Sequence, residues 1–182
     1  DTQLILGMSN PAQSQENIEN ILRFIVHWMT SNWLKINSDK TEVVVLSPKG
    51  YWPSELGAPP TQVPVVKSLS IKIDIMPSMS YQVSAVCRIC IGLLRRLRKL
   101  VPLLTLATLR TVVTAMILSR LDYCNVLYIG LQVGMLDRLQ TIMNDAARLL
   151  FSLQRRSYAK QLLHRLHWLP IRQRAKFKGL CI

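Results

Sequence analysis

Two groups of residues in this sequence have types and spacings that could do chemistry. The first is a single lysine in a polar knot, Asn37-Ser38-Asp39-Lys40-Thr41, set between an apolar stretch and three consecutive valines, Val43 to Val45. A lysine there can bind a phosphate as a mobile point charge. It can donate a proton to a leaving group, or lie solvated beside Asp39 as surface lysines usually do. Local chemistry leaves the three open; Asn37 and Asp39 suit a turn, and Thr41 can cap the start of the strand. The second group is Cys87-x-x-Cys90 with His164-x-x-His167, donors of the kind that hold zinc. The two pairs lie more than seventy residues apart, and Cys87 and Cys90 continue an apolar stripe with Val83, Val86 and Leu94. Buried reduced thiols account for the cysteines better than a metal site does. Four cysteines (Cys87, Cys90, Cys124, Cys181) without a disulfide framework suit a nuclear or cytoplasmic compartment rather than secretion.

A third chemistry lies in the charge. The 182 residues carry a net +13. Residues 1–60 hold four Lys and Arg against six Asp and Glu, whereas residues 61–182 hold nineteen against four. Such asymmetry points the C-terminal part toward a polyanion, nucleic acid first. The densest run is Arg95-Arg96-Leu97-Arg98-Lys99, with Arg88 two helical turns earlier; Arg172, Arg174, Lys176 and Lys178 form a second basic group. The plain alternative for both is a solvated helix face. Tyr123 and Tyr128 could stack on bases, though core or interface roles suit them better. Asp122 is expected to pair locally, with Arg120.

The elements that must position these residues follow from periodicity. Ile18, Ile21, Leu22, Ile25, Met29 and Trp33 recur at helical spacing, so a helix is expected over 14–33, capped by Ser14. Thr2 to Leu6 and Glu42 to Leu46 read as strands on either side of it. Residues 47–64 are Pro- and Gly-rich and read as loop, and 65–75 as one half-exposed strand. From Ser78 the pattern turns helical. A long helix is expected to about Leu100, a second capped by Thr105, and a third from Ser119 to a break at Gly130. A fourth follows Gly134, and a fifth opens at Ser157 and stops at Pro170. The basic tail IRQRAKFKGL suits a last helix. His164, His167 and Trp168 read as packing residues. The most membrane-like stretch, residues 100–121, has Arg110 at its centre and Pro102 near its start, so core helices are expected in place of a span. No charged segment leads into an apolar run at the start, so a secretory leader is not expected.

In order along the chain, DTQL, WLKINSDKTEVVVLSP, VKSLSIKID, SRLDYCNVLYIGL, DRLQTIMNDAARLL and LHRLHWLPIRQRAKFK resemble the reverse transcriptase of vertebrate non-LTR retrotransposons, the long interspersed elements. The resemblance implies the end of a polymerase palm followed by a thumb. Asp1 matches the second Asp of the family's Tyr-x-Asp-Asp turn, near the site of two Mg²⁺, and so becomes the catalytic and metal-binding candidate. Lys40 matches the lysine of the loop that approaches the nucleotide phosphates, and becomes the second catalytic candidate. Ser70 stands where the family carries a glycine, in Asn-Leu-Gly-Val. Arg88, Arg95, Arg96, Arg98 and Lys99, and then Arg172, Arg174, Lys176 and Lys178, become candidate contacts to an RNA template and DNA primer.

The expected fold is therefore α+β. A small partial palm sheet (strand, helix, strand and a further strand) spans 1–75, cut at the Asp-Asp turn, and an α-helical thumb and post-thumb region spans 76–182. The expected function is that of a fragment of an RNA-directed DNA polymerase. The full-length parent would use Mg²⁺ and deoxynucleoside triphosphates. The chain opens at Asp1 rather than Met and lacks the other metal ligands, so alone it is expected to hold no Mg²⁺ and to polymerise nothing. The alternative is a non-catalytic basic remnant that only binds nucleic acid. No membrane partner is expected.

Overall fold

The computed structural model describes residues 11–35, 37, 65–74, 78–153 and 158–181. The chain divides into two compact units, residues 1–77 and 78–182. The class is α+β at its coarsest: the described residues are mostly helix, with one two-stranded antiparallel sheet among them.

In the first unit, helix α1 runs over Pro11–Ser31. Ile21, Ile25 and Met29 are half-buried along one stripe, as their spacing requires. The helix ends in a Schellman motif. The Leu34 N–H donates to the Met29 carbonyl at 2.8 Å and the Trp33 N–H to Thr30 at 3.1 Å. Trp33, just past the helix end, takes φ 59°, the left-handed conformation that glycine usually supplies there. Phe24 and Trp28 lie one turn apart and are 70% and 53% exposed.

Residues 65–74 are a hairpin, not the single strand expected. β1 (Val65–Ser68) pairs with β2 (Ile71–Asp74) in the register Val65↔Asp74 to Ser68↔Ile71. Leu69 and Ser70 form the two-residue turn with φ 45° and 68°. Both angles are left-handed, the type I′ geometry whose usual signal is Asn-Gly. The sequence offers Leu-Ser there, which hides the turn inside an apparently continuous strand. The expected strands at 2–6 and 42–46 lie outside the described residues.

In the second unit, α2 (Ser80–Leu100) leads through a 3₁₀ turn (Val101–Leu103) to α3 (Leu106–Val113). Thr105 caps α3 as expected, its hydroxyl oxygen accepting the Thr108 N–H at 3.2 Å. The helix then does not break before Ser119. It passes through a π turn (Thr114–Leu118) into α4 (Ser119–Asp122), with helical angles throughout. The reason is register. Leu109, Val113, Ile117 and Leu121 are all buried at four-residue steps, and each such step drifts about 40° around a 3.6-residue helix. The wider π turn takes up the drift and keeps them on one face.

A 3₁₀ turn (Asn125–Tyr128) precedes α5 (Val133–Leu150), followed by α6 (Ala159–Arg165) and α7 (Ile171–Leu180). Helix α6 ends in its own Schellman motif. Trp168 N–H donates to Leu163 at 2.9 Å and His167 N–H to His164 at 3.0 Å, with His167 at φ 56°. Pro170 therefore does not stop α6; it stands at the N-cap of α7. The core is built around α5, whose Leu139, Ile142, Met143 and Ala146 meet Val83, Cys90 and Leu94 of α2, Leu109 to Leu121, and Leu163, Trp168 and Ile171. Gln140 of α5 receives the first N–H of α7, from Ile171, at 2.9 Å, satisfying a donor that the helix start would otherwise leave open.

Candidate nucleic-acid interface

The candidate basic residues of α2 sit where helical geometry puts them. Val83, Val86, Cys90, Leu94 and Leu97 are buried, while Arg88, Arg95, Arg96, Arg98 and Lys99 are exposed. At about 100° per residue, Arg88, Arg95 and Lys99 fall within about 20° of one line along the outer face. Arg96 flanks that line on one side. Arg98 falls on the other, about 20° from the buried Cys87, and so borders the core. Helix α2 contains no acidic residue, and Arg98 and Lys99 occupy its last turn, where positive charge complements the helix dipole.

Opposing charge is scarce in the second unit. Residues 78–182 hold seventeen Lys and Arg against three Asp. Two of the three aspartates are engaged: Asp145 pairs with Arg148 at 3.0 Å, and Asp122 with Arg174.

That last pair corrects one expectation. Asp122 does not pair with Arg120, which donates instead to the Met116 carbonyl at 2.7 Å. Asp122 accepts from Arg174 through both its oxygens, the Nε contact being 2.7 Å. Asn125 adds a third donor at 3.3 Å. The bidentate fork ties α7 to the end of α4 across 52 residues of sequence, a separation that local pattern reading cannot see. Arg174 is thus a structural clamp, which sets it apart from its basic neighbours. Arg172 and Lys176, one turn apart and exposed, share a face of α7. Lys178 is exposed on another side, so the tail presents a pair and a single cation, not a stripe.

The remaining candidates divide by burial. Tyr128 is 2% exposed and its hydroxyl has no hydrogen-bond partner among the described residues; burial first, and the neighbouring thiols and Asp122 after it, push its ionisation up to about 12. Tyr123 is exposed. Trp168 packs in the core, as expected, but His164 and His167 face solvent, because the α6 terminus turns His167 outward at its left-handed residue. Cys87 and Cys90 are buried and unlinked. Desolvation raises both thiols, Cys90 to about 11, which makes them poor nucleophiles and metal ligands. Asp1 and Lys40, the catalytic candidates, lie outside the described residues. Among the described residues no three His, Cys, Asp or Glu side chains come together as a metal site, and no helix is long and apolar enough to cross a membrane.

Arg148 was not singled out from the sequence, where it stands alone between Ala147 and Leu149. The structure places it with Arg98 on an open notch of about 310 Å³. Comparisons with protein families, with curated proteins and with solved structures find no match for this chain.

Proposed function

We propose that this chain is the end of a palm and the thumb of a non-LTR retrotransposon reverse transcriptase, and that its second unit grips nucleic acid. One observation carries the second half of the reading. Arg88, Arg95 and Lys99 form an exposed line on α2, Arg96 beside it, with no acidic residue on the helix. Arginine and lysine on a straight, rigid helix can contact successive phosphates of one strand, which positions a duplex without reading its sequence. The family assignment rests on the motifs in series along the chain; polymerase chemistry at Asp1 and Lys40, with Mg²⁺ and deoxynucleoside triphosphates, belongs to that assignment and not to the geometry.

Fluorescence anisotropy of the full chain with a labelled RNA–DNA hybrid tests the reading at two salt concentrations. Each neutralised phosphate contributes about 0.9 to the slope of log affinity against log salt for duplex DNA. Arg88→Gln, Arg95→Gln and Lys99→Gln together are expected to flatten that slope by about 2 to 3, while Arg172→Gln and Lys176→Gln have a smaller effect. Binding with no salt dependence, or a triple variant that binds like the parent, overturns it.

A further inference from the structure

We propose that the notch between the ends of α2 and α5 is a docking site for an acidic peptide segment, one carboxylate side chain flanked by aliphatic ones. Its walls are Val101, Leu149 and Leu153, with the Ser152 hydroxyl and the Arg98 and Arg148 side chains at its edge. The α5 terminus builds half of it. Leu153 N–H donates to the Arg148 carbonyl at 3.0 Å and Ser152 N–H to Leu149 at 3.1 Å, with Ser152 at φ 52°. This is a third Schellman end, and it fixes Leu153 beside Arg148.

Arg98 makes no hydrogen bond or ion pair among the described residues. Its guanidinium is therefore available for the bidentate geometry that suits a carboxylate. Arg148 reaches the same notch while held by Asp145 at 3.0 Å, which fixes its orientation. The notch is open to solvent and of about 310 Å³, room for a side chain and its neighbours from a peptide.

Charge alone would admit a phosphate as readily. Two features favour a peptide. All the apolar walls are aliphatic, so no ring is offered for a base to stack on, and a sugar–phosphate strand would leave those walls unused. Leu100 and Leu103, on the turn that carries Val101, are exposed as well, extending aliphatic surface past the notch. An acidic segment with aliphatic neighbours uses both the cations and the walls. Arg98 lies about 80° around α2 from the outer line of Arg88, Arg95 and Lys99, so the notch borders the proposed nucleic-acid surface, and the Arg98 and Arg88 variants separate the two.

The test uses the full chain and a labelled peptide, Gly-Ser-Leu-Glu-Leu-Ser-Gly, against the same peptide with Gln for Glu. The acidic form is expected to bind about tenfold more tightly, a difference of the size a charged, bidentate contact gives. Arg98→Gln is expected to remove most of that preference. Arg98 is exposed and has no partner among the described residues, so the fold should survive, and circular dichroism checks that it does. Arg172→Gln, on α7, is expected to leave the preference intact. Equal binding of the two peptides overturns the proposal, as does a preference that survives Arg98→Gln. So does an unlabelled oligonucleotide whose affinity falls with Arg98→Gln and not with Arg88→Gln, since the notch would then belong to nucleic acid.

Discussion

Three residues without glycine's freedom hold the left-handed position that ends a helix: Trp33, Ser152 and His167, at φ 59°, 52° and 56°. An L-residue there carries a strain of about 1 kcal/mol or more, partly offset because it has less backbone entropy to lose than glycine. Trp33 is 98% exposed, so its ring contributes no packing that a substitution would remove. Trp33→Gly and His167→Gly are each expected to raise stability by about 0.5–1 kcal/mol, read as a shift in urea midpoint at constant m-value. Cys90 gives a prediction of opposite sign. Its thiol ionises at 9.0 in the ordinary state and at about 11 when folded. The unfolded chain therefore releases its proton first. The contribution to stability is intact below pH 9.0 and falls by about 1.4 kcal/mol per pH unit until the folded thiol also ionises. Cys90→Ala is expected to flatten the decline of urea midpoint between pH 9 and 11. In the folded protein at neutral pH, iodoacetamide should label the exposed Cys124 and Cys181 and spare Cys87 and Cys90.

At the scale of elements, the β1–β2 turn is the clearest place where the sequence misleads. Leu69-Ser70 contains neither of the residues that announce a type I′ turn, and both adopt positive φ because the paired strands leave no alternative. Ser70→Gly, which puts at a positive-φ position the residue that bears it without strain, is expected to stabilise the hairpin by about 0.5–1 kcal/mol. Slower amide exchange at Val66 and Ile73 would show it. The helix ends were hidden for the same reason: a C-terminus marked by Trp, Ser or His carries no signal in composition. What could be read was what depends on local periodicity, namely α1, the long α2 and the basic tail as a helix, together with the Thr105 cap; the cap expected at Ser14 lies inside α1, which begins at Pro11. What could not be read depends on partners distant in sequence. The Asp122–Arg174 fork is one example and the Gln140 cap on α7 another. Asp122→Ala is expected to cost about 2 kcal/mol, in the range of hydrogen bonds to charged groups. A double-mutant cycle with Arg174→Ala should return most of it as coupling, because each partner loses the same interaction.

At the scale of the whole molecule, cation and carboxylate are segregated. The first sixty residues are net acidic, and the second unit carries seventeen Lys and Arg against three Asp. Self-repulsion in the second unit makes its stability depend on ionic strength. Moderate salt is expected to raise the thermal midpoint of the second unit while weakening its hold on nucleic acid, so the two readouts should move in opposite directions across one titration. Composition announced this polarity in full. The separation of α2's cations into an outer line and a core-bordering Arg98 was also present in the sequence, in the angle each residue subtends. The notch was not, because Arg148 reaches it only through the fold of α5 onto α2.

The π turn at Thr114–Leu118 carries a consequence for insertions and deletions. A π turn accommodates one residue more than the α-helix around it needs. Removing one residue there lets the segment rewind as plain α-helix, and Leu121 then follows Val113 by seven steps of about 100°, within about 20° of two full turns, so everything beyond keeps its face. Leu121 would stay in the core and Asp122 within reach of Arg174, whereas one residue removed from the regular turns of α3 would rotate both by about 100°. A chain one residue shorter at this point would thus keep both its helix and the latch on its last one, so the segment where the helix is widest is also where it can best bear the loss of a residue.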